Sequence, residues 1–273
     1  MAKRTESAIK KVEGDPTFLS KYIQDDHSLD GMQEYRVLPV LKVVQSMSDR
    51  EQKEKVGQGS CIIRPGDTIL CSGQESFQVV PLYFWVDFAK WSDLKDTDSP
   101  NVMARSDSPV SDIAKLSRDP DKRLEVYPGD EAKPSSDRRH YRYVEHLRFV
   151  VMVYGEHDFS GQVATLTFER GEFFTGKNFI SAIQMRKTRV GDDMVPVPLW
   201  AQVWQLSVGF RDRGARKWYG IDFAAADQNT ILESEAPQFQ AAFMEYKELQ
   251  DKARLRVDDE DLPEGETAAN EEF

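Results

Sequence analysis

Apolar residues in this chain gather in short runs closed off by Gly, Pro, Asp and Ser, some of them alternating with polar residues. Period two is the signature of a strand, whose successive side chains leave opposite faces. YRVLPVLKVVQ (35–45) reads as a strand. SDREQKEKV follows with Ser48 and Glu51 at capping-box spacing and predicts a short helix. Residues 60–64 and 68–72 flank Pro65-Gly66-Asp67 and predict a hairpin. Residues 76–88 form a longer strand in which Pro81 lacks a ladder donor, so an edge strand or a bent one is expected. Residues 140–155 and 161–171 read as strands, and 197–210 and 216–225 as a long hairpin through RDRGA. Only two longer stretches carry a helical period. One is 175–187, starting at an N-cap Thr175 with Phe179, Ile180 and Ile183 on one side. The other is 237–257, with Pro237 near its start and its bases gathered at its end.

Residues 92–137 lose all periodicity and are rich in Asp, Ser and Pro, which predicts a long polar excursion with one short helix. The expected organisation is a polar segment at 1–34, a β-rich body at 35–257 and a disordered acidic tail at 258–273. Many short strands with few helices give a mainly β (α+β) fold, an antiparallel small barrel with helical decoration.

Charge changes the picture only when divided along the chain. The net charge is -11, yet residues 138–217 hold 13 bases against 8 acids, while 258–273 hold 8 acids and no base. A basic face can therefore hide beneath an acidic total. Two cysteines, Cys61 and Cys71, are too few for a disulfide framework and lack zinc-ligand neighbours, so they read as buried thiols. The four histidines never fall at a ligand spacing, and neither metal nor cofactor is expected. No run is long and apolar enough to span a membrane, nor does the N-terminus have a signal peptide's apolar region, which points to a cytoplasm.

The hairpin FRDRGARKWYGIDF carries the most chemistry. Arg211, Arg213, Arg216 and Lys217 lie beside Trp218 and Tyr219, pairing phosphate contacts with stacking surfaces as a single-stranded nucleic-acid groove requires. The competing account is a basic-tipped hairpin whose Trp218 belongs to the core. RRHYRYVEHLRF places Tyr141, Tyr143, Leu147 and Phe149 on one strand face and Arg142, His146 and Arg148 on the other, leaving Arg138, Arg139, Arg142 and one tyrosine, Tyr141, to bind. Arg186, Lys187 and Arg189 close the helix at 187. GEFFTGKN (171–178) matches a phosphate-binding loop up to Lys177, but Asn178 replaces the metal-binding hydroxyl and two phenylalanines crowd the loop. An NTPase is not expected, nor any enzyme, and Lys177 is kept only as a nucleic-acid contact.

The body segment VPLWAQVWQLSV…RKWYGIDFA together with the tail DDEDLPEGETAANEEF resembles single-stranded DNA-binding proteins of bacteria and, more closely, of tailed bacteriophages, over roughly residues 140–273. The resemblance implies an oligonucleotide-binding (OB) barrel and a tail whose acids (Asp258, Asp259, Glu260, Asp261, Glu271, Glu272) and final Phe273 recruit replication or recombination proteins. It differs from the bacterial pattern in placing Asp261, Leu262 and Pro263 ten residues upstream of the final Phe. The expectation is a phage-type protein binding and protecting single-stranded DNA in the host cytoplasm. A homo-oligomer is compatible with the sequence. The alternative is a phage structural or assembly protein that binds no nucleic acid.

Overall fold

The computed structural model describes residues 37–45, 48, 54, 56–93, 101–155, 160–214, 216–251 and 256–257. The expected N-terminal segment, the acidic tail with Asp258–Phe273, and Glu51 lie outside these residues. The strands are β1 (Val37–Leu38), β2 (Val40–Val43), β3 (Cys61–Arg64), β4 (Thr68–Cys71), β5 (Ser76–Asp93), β6 (Asn101–Ser106), β7 (Leu124–Val126), β8 (His140–Tyr154), β9 (Val163–Phe168), β10 (Lys187–Val190), β11 (Asp193–Pro196), β12 (Gln202–Arg213), β13 (Arg216–Thr230) and β14 (Arg256–Val257). Three α-helices are described: α1 (Asp112–Arg118), α2 (Phe173–Met185) and α3 (Ala236–Asp251).

The principal sheet has the order β13-β12-β5-β8-β9-β2-β3-β4, with β6 added to β5 and β7 to β8. It is mainly β, as the alternation predicts, but mixed rather than purely antiparallel: β2 and β9 pair in parallel with Val40 opposite Thr165. The chain leaves β2 through the antiparallel steps to β3 and β4, then returns through β5 and β8. That route brings β9 alongside β2 running in the same sense. The second parallel pair, β1 with β14, sets Val37 opposite Arg256, so the bases expected at the end of the last helix are partly on a strand.

The strip β5-β8-β9 is buried on both faces. On one, Phe77, Val79, Phe149, Val151, Leu166 and Phe168 pack with Leu41, Ile63, Trp204, Leu206 and Ile221 from the flanking strands. Phe179 of α2, fully buried, sits 4.9–5.2 Å ring to ring from Phe223, Phe149 and Trp204. Residues from eight strands of the principal sheet meet here because the sheet curls around α2. On the other face Val80, Leu82, Val150 and Met152 pack with Phe239 and Tyr246 of α3.

Pro81 bends β5 without making it an edge strand. β12 stops pairing at Val79, and the register with β8 slips between Pro81 and Tyr83, so the missing donor coincides with a break in the ladder. The extra residue also resets the alternation. Val79 before the slip and Phe84 and Val86 after it all reach the α2 side.

The described residues of the polar stretch, 92–93 and 101–137, are more ordered than its composition suggests. β6 pairs with the end of β5, α1 is capped by Ser111, whose Oγ accepts from Ala114 N at 3.2 Å, and β7 pairs with β8. β7 is exposed along most of its length, and a strand buried on neither face writes no apolar alternation into the sequence.

Candidate nucleic-acid interface

The hairpin β12–β13 forms an arm. β12 lies beside β5 only from Trp204 to Ser207, while its pairing with β13 runs on through Phe210↔Tyr219 and Arg211↔Trp218 to Arg213↔Arg216. The arm therefore extends past the start of β5. Arg216 pairs with Arg213 in the ladder. Residues opposite one another share a face, so Arg211, Arg213 and Trp218 lie on one side and Phe210, Asp212, Lys217 and Tyr219 on the other. Trp218 and Tyr219, neighbours in sequence, cannot line the same groove.

On the first face the cations are partly spoken for. Arg211 donates to Asp222 at 2.7 and 3.2 Å and lies 3.4 Å from Glu172; the hydrogen bonds to Asp222 raise its affinity for its proton further, against a smaller effect of burial. Trp218 Nε1 donates to the same Glu172 carboxylate at 2.7 Å. Gly220 makes this possible, since a Cβ there would fall 2.3 Å from the Glu172 carboxylate. Arg213, exposed at the tip, stands 5.8 Å from the Trp218 ring.

On the second face Phe210 is 55% exposed and its ring lies 5.2 Å from that of Tyr219. Tyr219 rests against Gly59, whose added Cβ would be 2.8 Å from the ring. Gln45 donates to Tyr219 O at 2.7 Å and accepts from Tyr219 N at 2.8 Å. Lys217, next toward the tip, pairs with Asp212 at 3.2 Å in the open. Sequence reasoning missed Phe210; its signal was an aromatic at the outer end of a strand, directly across the turn from Tyr219.

The other candidate residues lie elsewhere. Tyr141 pairs with Ser92 near the far end of β5, some sixteen residues from Ser76, or about 50 Å of strand at ~3.3 Å per residue. There Tyr141 stacks on Tyr127 at 4.1 Å with Lys90 3.9 Å above it, and Arg139 is held by Asp130 at 2.9 and 3.2 Å. Arg138 donates to the carbonyls of Lys133 and Glu131, both at 2.8 Å, so it fastens its own loop. Arg142 sits on β8 opposite Leu124 and Trp91. Arg186 donates to Val203 O at 3.1 Å and lies 4.9 Å over Trp204; burial lowers its pKa. Lys187 is exposed on β10, and Lys177 is exposed on α2, 4.8 Å over the Phe173 ring.

His146 and Arg148, read as one polar strand face, are in fact buried. Arg148 donates to Asp87 at 2.9 Å. His146 places Nδ1 3.0 Å from Asp87 and Nε2 2.8 Å from Glu169, at ion-pair distance but off the straight hydrogen-bond line. This buried cluster links β5, β8 and the end of β9. Among the described residues no group of three or more His, Cys, Asp or Glu is arranged to hold a metal ion, and no described helix is long and apolar enough to cross a membrane.

A protein-family model described as Pam3 phage gp34-like protein matches residues 6–254. The chain belongs to that phage family. No curated protein and no solved structure matches it.

Proposed function

We propose that this phage-family protein binds single-stranded DNA without catalysing its chemistry, using the β12–β13 arm as its principal contact. The observation that carries the reading is the arm itself, which runs past the start of β5 with aromatic rings on both faces and cations toward its tip. Stacking and phosphate contact are the two components of sequence-tolerant binding to single strands. The curled sheet would serve as the OB barrel that the resemblance implies, with the acidic tail recruiting replication or recombination proteins.

Fluorescence anisotropy with a labelled oligo-dT tests this. Binding with log Kd moving against log salt at a slope of magnitude ~3–4 is expected if about four to six phosphates are neutralised. Arg213→Ala should reduce that slope by ~0.7, whereas Arg211→Ala should lower the melting temperature and leave the slope nearly unchanged, because Arg211 already serves Asp222 and Glu172. No binding at low salt, or a preference for duplex, overturns the proposal.

A further inference from the structure

Within the DNA-binding reading proposed above, on which this step rests, we infer that bases stack on the Phe210–Tyr219 face of the arm and that Trp218 is a strut rather than a stacking residue. Trp218 is half-buried, its N–H is committed to Glu172 at 2.7 Å, and one edge of its ring lies against Gly171, where an added Cβ would come within 3.1 Å. Glu172 also engages Arg211. The indole thereby ties the arm to the residue that opens α2, and a base approaching it meets the carboxylates of Glu172 and Asp222.

The opposite face shares the half-buried ring against a glycine and carries one carboxylate, Asp212, but it differs in presenting an exposed ring. Phe210 exposes more than half of its surface. Its partner Tyr219 is fixed three times over, by Gly59 behind the ring and by Gln45 at both its N–H and its C=O. A preorganised aromatic surface loses little entropy when a ligand settles on it. Lys217 stands next in line on the same face, and its exposed pair with Asp212 is the weak kind that a phosphate can displace. The ligand this face fits is an unpaired nucleobase with its phosphate lying toward the tip.

Three single variants of the full chain test the assignment by oligo-dT anisotropy and thermal melting. Phe210→Ala and Phe210→Leu should each weaken binding, the former by about 5- to 100-fold, with the melting temperature within roughly two degrees of wild type because the ring is exposed. Phe210→Leu keeps an apolar side chain and isolates the aromatic contribution. Trp218→Phe keeps a ring but loses the bond to Glu172; it should melt lower and bind as wild type at a temperature where it is folded. Wild-type binding by Phe210→Ala, or weak binding by folded Trp218→Phe, overturns this assignment and leaves DNA binding intact. A wild-type chain that binds no oligo-dT overturns both.

Discussion

The Gln45 carboxamide accepts from the backbone N–H of Tyr219 at 2.8 Å and donates to its carbonyl at 2.7 Å. One side chain thus does for Tyr219 what a neighbouring strand would do. Gln45 follows β2, and Tyr219 lies on β13, the terminal strand five places away in the sheet order. The contact is where the curled sheet meets itself.

Gln45→Ala removes both bonds and should cost about 1–3 kcal/mol, taking ~1 kcal/mol for each net hydrogen bond and more if a partner is left unsatisfied. Gln45→Glu keeps an acceptor for the N–H but sets a carboxylate against the Tyr219 carbonyl, so it should be no more stable than the alanine variant. Urea unfolding measures both; a glutamate variant as stable as wild type counts against the bidentate geometry.

Gly176 lies inside α2 where it crosses the sheet. A Cβ added there would be 2.6 Å from Phe168 Cβ and 3.0 Å from Leu147 Cδ1. Alanine improves helix propensity by ~1 kcal/mol, but overpacking a filled core costs about 1–3 kcal/mol. Packing should win, because Phe168 Cβ is anchored to its backbone and cannot swing away. Gly176→Ala is expected to melt lower, and a rise in melting temperature shows that the helix can lift off the sheet freely.

The Asp87, His146, Arg148 and Glu169 cluster should give stability a two-sided pH dependence. Burial alone would raise the Asp87 pKa, but His146 and Arg148 outweigh it and hold the carboxyl well below its ordinary 3.8. Glu169 is held at about 2 against the effect of burial, chiefly by His146. Burial pushes His146 down, yet Asp87 and Glu169 more than offset this and hold it above 6.5. Depressed carboxylates stabilise above their unfolded values and lose that contribution as pH falls through the folded ones. A raised histidine stabilises fully below 6.5 and loses its contribution as pH rises through its folded value. Urea midpoints should therefore peak between about 4.5 and 6.5 and fall on both sides. His146→Asn should lower the peak and flatten the alkaline limb; a persisting alkaline limb assigns it to another group.

Removing residues 258–273 deletes 8 acids and no base, taking the formal charge from -11 to -3. If the arm binds DNA, oligo-dT affinity should rise on truncation, most at ~0.01 M salt where the Debye length is ~30 Å, and converge with the full chain near ~0.15 M. Lower affinity of the truncated chain at low salt would show that the acids do not screen the binding face.

Apolar runs bounded by turn residues, some of them alternating, made β2, β3, β4, β5, β8, β9, β12 and β13 legible, because each buries at least one face and so writes an apolar signal. The helix at 173–185 was legible too, although it begins at Phe173 with no side-chain cap rather than at Thr175: packing of Phe173 against the core extends it beyond the residue that local capping rules select. β7 left no such mark, because exposure imposes no alternation. The hairpin was visible as a cluster of bases and aromatics, and the period itself divides Trp218 from Tyr219. Which ring is engaged and which is presented depends on Glu172, Gly59 and Gln45, residues that the sequence reading did not connect with the hairpin.

The sequence by itself determined that this is a mainly β chain with a basic, aromatic hairpin and an acidic end, since period, turn residues and charge are local quantities summed along the chain. Tertiary structure alone decided that the sheet is mixed, that His146 and Arg148 are interior, and that Arg211 is occupied by Asp222 and Glu172. It also brought Gln45 to Tyr219 across 174 residues. Each of these depends on which strand lies beside which and on how far the sheet curls, and the curl is set by packing around Phe179 on one face and Phe239 and Tyr246 on the other. No short window of sequence contains both sides of such a contact.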